Sequence, residues 1–262
     1  MSNEPIPLTD LAQVLGLGDH EHIAIVGGGG KTTTLHALAD QLSGSRVVTT
    51  TTKMGHDQHR GRKLLLGPTD EEIAAIGLGA DAGPPVVAWG GIEGTKAIGI
   101  DPETCDRWFG LVDHVLVEAD GARRRPFKAP GSMEPVVPPT ATVVVVVMGV
   151  DALGRVIGDQ CHRPLRVAAL AGCQPFERLT PERAATVLVH ERGFVASRPI
   201  GARMAVVVTK VSSDTGPAVD RLVASFVERR AEHERTSDIA IVPVAGHWVG
   251  SGTPEPPPQS SW

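Results

Sequence analysis

The sequence predicts an α/β protein built on a mostly parallel, doubly wound sheet. Strand-like runs alternate with helical patterns along the chain, as expected for a sheet covered by helices on both faces. The runs are continuously apolar, as in "IAIV" (23–26) and "VVVVV" (143–147), which is typical of fully buried parallel strands. Polar residues follow four of these runs, at 27–30, 49–52, 118–121 and 209–210. Because the carboxyl ends of parallel strands meet at one edge, where ligands bind, these residues predict a site.

The elements of the N-terminal half follow from apolar spacing and capping residues. "PLTDLAQVLGL" predicts a short helix over 7–17, capped by Thr9 or Asp10. A buried strand at 22–26 precedes a helix that begins at Lys31 and stops at Gly44. Three further strands are predicted, at 46–52, in "KLLLG" (63–67) and in "PPVVAWG" (84–90).

The C-terminal half continues the alternation of strands and helices. Two helices have a capping residue followed by proline at the first helical position, Asp101-Pro102 and Thr180-Pro181. The predicted helices span 101–112, 180–193 and 217–233, and the predicted strands span 114–121, 142–150, 203–210 and 238–246.

Length and composition limit the organisation and the partners. The 262 residues predict a single domain over 1–248 and a disordered Pro/Ser-rich tail over 249–262. A formal net charge of −5, few aromatic residues and no tyrosine argue against nucleic acid or an anionic membrane as partner. Three cysteines without a C-x-x-C pair favour a reducing compartment. With no secretory signal and no apolar run long enough to cross a bilayer, we expect a cytoplasmic protein.

A glycine-rich loop between the first buried strand and the next helix predicts a nucleotide site. Glycines let backbone N–H groups approach phosphate, a lysine neutralises charge, and a hydroxyl at the helix start holds Mg²⁺. The chain supplies all three parts, which predicts a P-loop NTPase-like fold that binds ATP or GTP with Mg²⁺. The predicted nucleotide-binding residues of this loop are Gly27, Gly28, Gly29, Gly30, Lys31, Thr32 and Thr33.

The spacing of this loop departs from the strict G-x-x-x-x-G-K-[ST] pattern. The first glycine of that pattern would fall at Ile25. The chain instead has a shorter G-x-x-G-K-T-T form, which resembles the nucleotide loop of Mur-type amide ligases.

An acidic strand end is the second informative segment. Glu118 and Asp120 lie on one face by strand alternation. We expect Asp120 to hold Mg²⁺ together with Thr32, and Glu118 to orient a water or a substrate hydroxyl. With Lys31, these two carboxylates form the predicted catalytic set. The basic residues that follow, Arg123 to Arg125 and Lys128, can contact phosphate or another anion, although a solvated loop is the more ordinary interpretation of any one arginine.

Several segments together resemble the YqeC-type proteins. They are "VGGGGKTTT", "VVTTTTKM", "VLVEADGARRRPFKAPGSMEPVVPP", "VMGVDALG" and "HRPL", in the family's order and within about 8–245. The resemblance implies an accessory role in maturation of selenium-dependent molybdenum hydroxylases, by selenium cofactor biosynthesis or insertion. It implies an apo molybdenum hydroxylase or its cofactor-insertion factors as partners, and names a pathway better than a reaction.

The base and the reaction stay open. The resemblance suggests a guanine-reading segment after a late strand, and Lys210 is its candidate nucleotide contact. Thr209 stands where an amide is needed, and Asp214 falls two places late, so we expect less than about tenfold preference for GTP over ATP. Two other functions fit the residues: a small-molecule kinase or ATP-dependent ligase, and a non-catalytic chaperone switched by nucleotide.

Overall fold

The structure is a computed structural model that describes residues 4–78 and 83–245. The predicted tail at 249–262, and residues 246–248 of the predicted domain, lie outside the described residues. The described strands, in chain order, are β1 (Ile6–Pro7), β2 (Glu21–Gly27), β3 (Arg46–Thr50), β4 (Met54–Gly55), β5 (Leu64–Leu66), β6 (Val86–Trp89), β7 (Gly91–Glu93), β8 (Lys96–Ile98), β9 (His114–Glu118), β10 (Phe127–Lys128), β11 (Val143–Gly149), β12 (Cys161–His162), β13 (Arg203–Val211) and β14 (Ala240–Ala245).

Helices alternate with these strands. The described α-helices, in chain order, are α1 (Leu11–Val14), α2 (Lys31–Gln41), α3 (Asp70–Gly77), α4 (Pro102–Phe109), α5 (Ile157–Gln160), α6 (Pro164–Ala171), α7 (Pro181–Val189), α8 (Gly216–Arg230) and α9 (Glu234–Ser237). Short 3-10 turns connect several of them. In the part of the chain that the structure describes, no helix combines the length and the apolar character needed to span a bilayer.

The central sheet has nine strands in the order β1-β14-β13-β11-β2-β9-β3-β6-β5. All of its neighbouring pairs are parallel. The chain runs from β2 toward β5, returns to β9, and then crosses to β11 on the other side of β2. The strand order therefore reverses beside β2, and the carboxyl end of β2 lies at the crevice where open α/β sheets bind ligands.

Both faces of the sheet are buried, which explains the continuous apolar runs. Side chains of β11 alternate between two cores: Val144 and Val146 belong to one, and Val143 and Val145 to the other. The first core also contains residues of α4, α6, α7 and α8, whereas the second contains residues of α1 and α2. The predicted doubly wound, mostly parallel α/β class is confirmed; kinship with P-loop NTPases stays a prediction.

The principal predicted strands and helices are present, most of them with shorter bounds, whereas β2 and β13 extend beyond the predicted 22–26 and 203–210. Several elements were not predicted, among them helices α5, α6 and α9, the small antiparallel sheet β4-β8-β7, and the three features that follow. Helix α3 has a capping box in which Thr69 accepts from the Glu72 amide, a signal that the sequence contains as T-x-x-E. The short strands β10 and β12 pair in parallel outside the main sheet. Strand β1 adds to the sheet edge beside β14. Strands of two residues carry too little periodicity to be recognised.

Candidate functional site

The glycine loop is pressed against neighbouring backbone, which leaves no room for side chains. Gly27, Gly29 and Gly30 have φ of 99°, 73° and 126°, a region that glycine adopts without steric cost. A Cβ on Gly27 would lie 2.2 Å from the carbonyl oxygen of Val147, and one on Gly28 would lie 2.5 Å from that of Arg125. The Gly28 amide donates to Val147 at 2.8 Å. The loop conformation is therefore fixed by its neighbours.

Helix α2 begins where this loop ends. Gly30 is its N-cap and provides no side-chain acceptor for the first amides, which a helix leaves without intrahelical partners. These amides and the helix dipole favour an anion at this end. The start of α2 is therefore a favourable position for an anionic group.

Lys31 lies behind the loop in a buried group of charges. Its Nζ donates to the carbonyl oxygen of Gly27 at 3.0 Å and forms ion pairs with Asp120 at 3.2 Å and Glu118 at 3.6 Å. Burial opposes the charge of Lys31, but the two carboxylates outweigh it and raise the pKa of Lys31 above its usual value. The ammonium group is therefore charged at neutral pH.

Asp120 is fully buried, and its carboxylate fixes the position of the first glycine of the loop. Its carboxylate accepts from the Gly27 amide, with oxygens at 3.0 and 3.2 Å, and pairs with Lys128 at 2.9 Å as well as with Lys31. Both carboxylate oxygens are thus engaged by donors of the protein. Thr32, its predicted partner for Mg²⁺, makes its hydrogen bonds elsewhere.

Thr32 is paired with Glu118. The Thr32 hydroxyl contacts Glu118 Oε2 at 2.8 Å and Gln58 Oε1 at 3.0 Å. Burial and the charge of Asp120 raise the pKa of Glu118, although Lys31 and Thr32 act in the opposite direction. The hydroxyl and carboxylate that meet at the start of α2 are therefore those of Thr32 and Glu118.

A cavity of about 1290 Å³ opens in front of these residues. All four predicted strand ends reach it, through Gly30 after β2, Thr52 after β3, Glu118 at the end of β9, and Lys210 in β13. Lys31, Thr32 and Thr33 also line it, whereas Gly27 and Asp120 lie behind its wall. Lys210 has a left-handed backbone with φ of 62° and pairs with Asp151 at 2.7 Å. The predicted site residues are thus gathered at one edge of the sheet.

Gln58 and Glu134 are contacts that the sequence analysis missed. Gln58 lies in a 3-10 turn after β4, and no motif precedes it. Glu134 pairs with Lys128 at 3.3 Å and with Arg163 at 2.8 Å. It belongs to the "SMEP" segment, whose role the sequence alone does not indicate. Lys128, expected together with Arg123 to Arg125 to contact phosphate or another anion, is instead fully buried between Asp120 and Glu134.

The remaining titratable residues that the structure describes include histidines, cysteines and carboxylates outside the glycine-loop cluster. Within the described ranges, no group of three or more His, Cys, Asp and Glu residues is arranged to hold a metal ion. Cys105, Cys161 and Cys173 are free thiols, and burial raises the pKa of Cys105 and of Cys161 to about 12. These two thiols are protonated at neutral pH.

Fold and site together define a doubly wound α/β protein with a glycine loop and a buried lysine at the carboxyl end of its central strand. A family model described as "YqeC protein" matches residues 23–165. The "Uncharacterized protein YqeC" of Escherichia coli (strain K12) is 32% identical over 203 residues, which cover 73% of this chain and 78% of that protein. The chain belongs to the YqeC family. No solved structure matches it.

Proposed function

We propose that the protein binds a nucleoside triphosphate with Mg²⁺ on the glycine loop and hydrolyses it. One observation carries the proposal: a charged, buried lysine, a helix-start hydroxyl and a carboxylate meet directly behind a loop that only glycines can form. These are the parts that a phosphate cradle needs. The loop amides would bind phosphate oxygens, and Lys31 would neutralise their charge.

The contacts favour a different division of roles between the two carboxylates. We assign Glu118, with Thr32, to the Mg²⁺ side of the site, because the carboxylate already meets that hydroxyl at 2.8 Å. Oxygen ligands of this kind suit Mg²⁺, which neutralises phosphate charge when bound. Asp120 would position Lys31 and Gly27. The sequence instead predicted Asp120 for Mg²⁺ and Glu118 for water. The two assignments predict different effects of the substitution Glu118→Gln.

Triphosphate binding is expected to stabilise the folded protein and to depend on Lys31. At 100 times its dissociation constant, a ligand adds about 2.7 kcal/mol to the free energy of unfolding. Thermal unfolding with ATP, GTP, ADP and GDP, each with Mg²⁺, measures this. In Lys31→Ala the triphosphate shift should disappear, since a buried lysine–phosphate contact contributes a few kcal/mol, roughly 2 to 5. Circular dichroism checks that the variant is folded. An undiminished shift in folded Lys31→Ala would refute the phosphate cradle.

Glu118→Gln separates the two assignments of the carboxylates. If Glu118 serves Mg²⁺, the variant should bind triphosphate more weakly with Mg²⁺, by about tenfold or more, and equally well in EDTA. If Glu118 instead orients water, binding should stay intact while turnover slows. Titration of nucleotide with and without Mg²⁺, followed by phosphate release, distinguishes the two. Asp57→Asn, a cavity residue without a contact to Thr32, is the control.

We further propose that this activity serves maturation of selenium-dependent molybdenum hydroxylases. This step rests on the family resemblance of the "EADG" and "KAPGSMEP" segments and on no contact in the site. Phosphate release measured with and without an apo molybdenum hydroxylase tests it, with stimulation as the expected result. A phosphoryl-transfer reaction, as in a kinase or ligase, is the second candidate, because the cavity exceeds the roughly 300–1,000 Å³ usual for one ligand.

A further inference from the structure

The cavity is lined by many more basic residues than the single lysine of the glycine loop. Among the lining residues, nine are Lys or Arg and three are Asp or Glu, in a chain whose formal net charge is −5. The cavity continues from the glycine loop to the start of α6, where His162 and Arg163 line it. A cavity of this size and charge has room for a second anionic ligand.

Backbone strain is concentrated in the same place. Five residues other than glycine have a left-handed backbone within residues 4–78 and 83–245, and all five are basic and line this cavity: Arg60, Arg123, Arg124, Arg163 and Lys210. This conformation costs free energy for any residue with a Cβ, and strain of this kind collects at functional sites. Arg123 and Arg124 are the two central residues of a turn that the Arg125 amide closes by donating to the carbonyl oxygen of Ala122 at 2.9 Å, and this turn presents both side chains to the cavity.

Arg123 and Arg124 also differ from their basic neighbours in having no partner. Arg163 pairs with Glu134, Lys210 with Asp151, and Arg125 donates to the carbonyl oxygen of Asp159. Within the described residues, neither Arg123 nor Arg124 makes a side-chain hydrogen bond or ion pair, and both are exposed to the cavity. Two consecutive guanidinium groups without an acceptor are suited to bind a phosphate or carboxylate group.

The segment that follows Arg124 is packed against the glycine loop. Gly28 is packed against the carbonyl oxygen of Arg125, and the Gly149 amide donates to that of Pro126 at 2.8 Å. Arg123 and Arg124 thus directly precede a segment that is packed against the glycine loop, and they line the same cavity as His162. Burial lowers the pKa of His162, and the charges of Lys128, Arg163 and Arg123 lower it further, so this imidazole senses the same positive potential.

We propose that Arg123 and Arg124 form a second subsite, for the phosphate or carboxylate group of an anionic co-substrate that binds beside the nucleotide. The role as a co-substrate rests on the proposed function, whereas the binding of an anion does not. The anion subsite itself is defined by the arginines and His162.

Inorganic phosphate is the probe, and the histidine ring signals observed by NMR are the readout. The His162 signal is identified by its loss in His162→Gln. Phosphate should shift this signal in the wild type and in Lys31→Ala, but bind about tenfold or more weakly to Arg123→Ala/Arg124→Ala. Alanine keeps the Cβ and hence the same backbone cost. The control, Arg192→Ala/Arg221→Ala, removes two exposed arginines outside the cavity and should change the affinity by less than about twofold.

Undiminished phosphate binding in Arg123→Ala/Arg124→Ala, or equal weakening in the control, would overturn the subsite. Loss of binding in Lys31→Ala would also overturn it, because the anion would then be assigned to the glycine loop. Acetate at matched ionic strength distinguishes the source, since a preference for phosphate indicates a phosphorylated co-substrate and a preference for acetate a carboxylate. Competition between phosphate and Mg-bound imido-triphosphate for His162 would assign the arginines to the nucleotide and also overturn the subsite. If no nucleotide binds and phosphate still titrates His162, the proposed function fails and the subsite stands.

Discussion

Asp120→Asn is expected to lower the free energy of unfolding by about 3 to 5 kcal/mol, the usual cost of removing one partner from a buried ion pair. Asp120 is fully buried and is the shared partner of two buried ammonium groups, Lys31 at 3.2 Å and Lys128 at 2.9 Å. An asparagine keeps the volume and an acceptor for the Gly27 amide but removes the charge. Chemical denaturation measures the change.

Asp151→Asn is the matched control for this prediction. Asp151 forms an exposed pair with Lys210, and such pairs contribute about 0 to 1 kcal/mol. In the double variant Asp120→Asn/Lys128→Met, the loss in free energy of unfolding should be smaller than the sum of the losses in the two single variants. The reason is that Lys128→Met removes the buried charge that Asp120→Asn deprives of a partner. Equal losses for Asp120→Asn and Asp151→Asn would show that Asp120 does not hold the two lysines.

Gly27→Ala is expected to destabilise the protein by at least about 4 kcal/mol, a loss that single substitutions rarely reach. The added Cβ would lie 2.2 Å from the carbonyl oxygen and 3.0 Å from the amide nitrogen of Val147. Val147 is opposite Gly27 in the parallel pair of β2 and β11, at the middle of the sheet. Neither strand can move aside without breaking its other pairings. Denaturant unfolding measures the loss.

Gly61→Ala isolates the contribution of the backbone. Gly61 has φ of 70°, but a Cβ added there would meet nothing within 4 Å, so only the left-handed conformation is penalised, by about 1 to 2 kcal/mol. The difference between the two variants measures the steric overlap at Gly27. A Gly27→Ala protein as stable as Gly61→Ala would mean that the loop is not fixed by β11.

Asp120 and Gly27 connect stability with the proposed function. Asp120 accepts from the Gly27 amide and pairs with Lys31, so the same carboxylate fixes the first glycine of the loop and the lysine behind it. A charged chain continues from Lys31 through Asp120, Lys128 and Glu134 to Arg163, on the far wall of the cavity. A ligand that changes the partners of Lys31 therefore perturbs a series of ion pairs that ends at Arg163.

The class of fold and the position of the glycine loop could be predicted from the amino-acid sequence alone. Buried parallel strands need apolar side chains on both faces, so their runs are continuous and recognisable without any partner strand. The glycine loop is equally local, because its parts are neighbours in the chain. Because the carboxyl ends of parallel strands lie at one edge of a sheet, the sequence also predicted that four strand ends come together, and all four line the cavity.

Which polar groups contact one another is apparent only in the folded structure. Strand alternation put Glu118 and Asp120 on one face, but β9 ends at Glu118. The two carboxylates share Lys31, but Glu118 otherwise meets Thr32 and Asp120 meets the Gly27 amide and Lys128. Gly27 and Asp120 are 93 positions apart, Thr32 and Glu118 86, and Thr32 and Gln58 26. A difference of a few tenths of an ångström in the separation of two segments that are distant in the chain makes or breaks such a hydrogen bond. Hydrophobic periodicity carries no information on that scale, because burial is non-directional whereas hydrogen bonds and ion pairs are not.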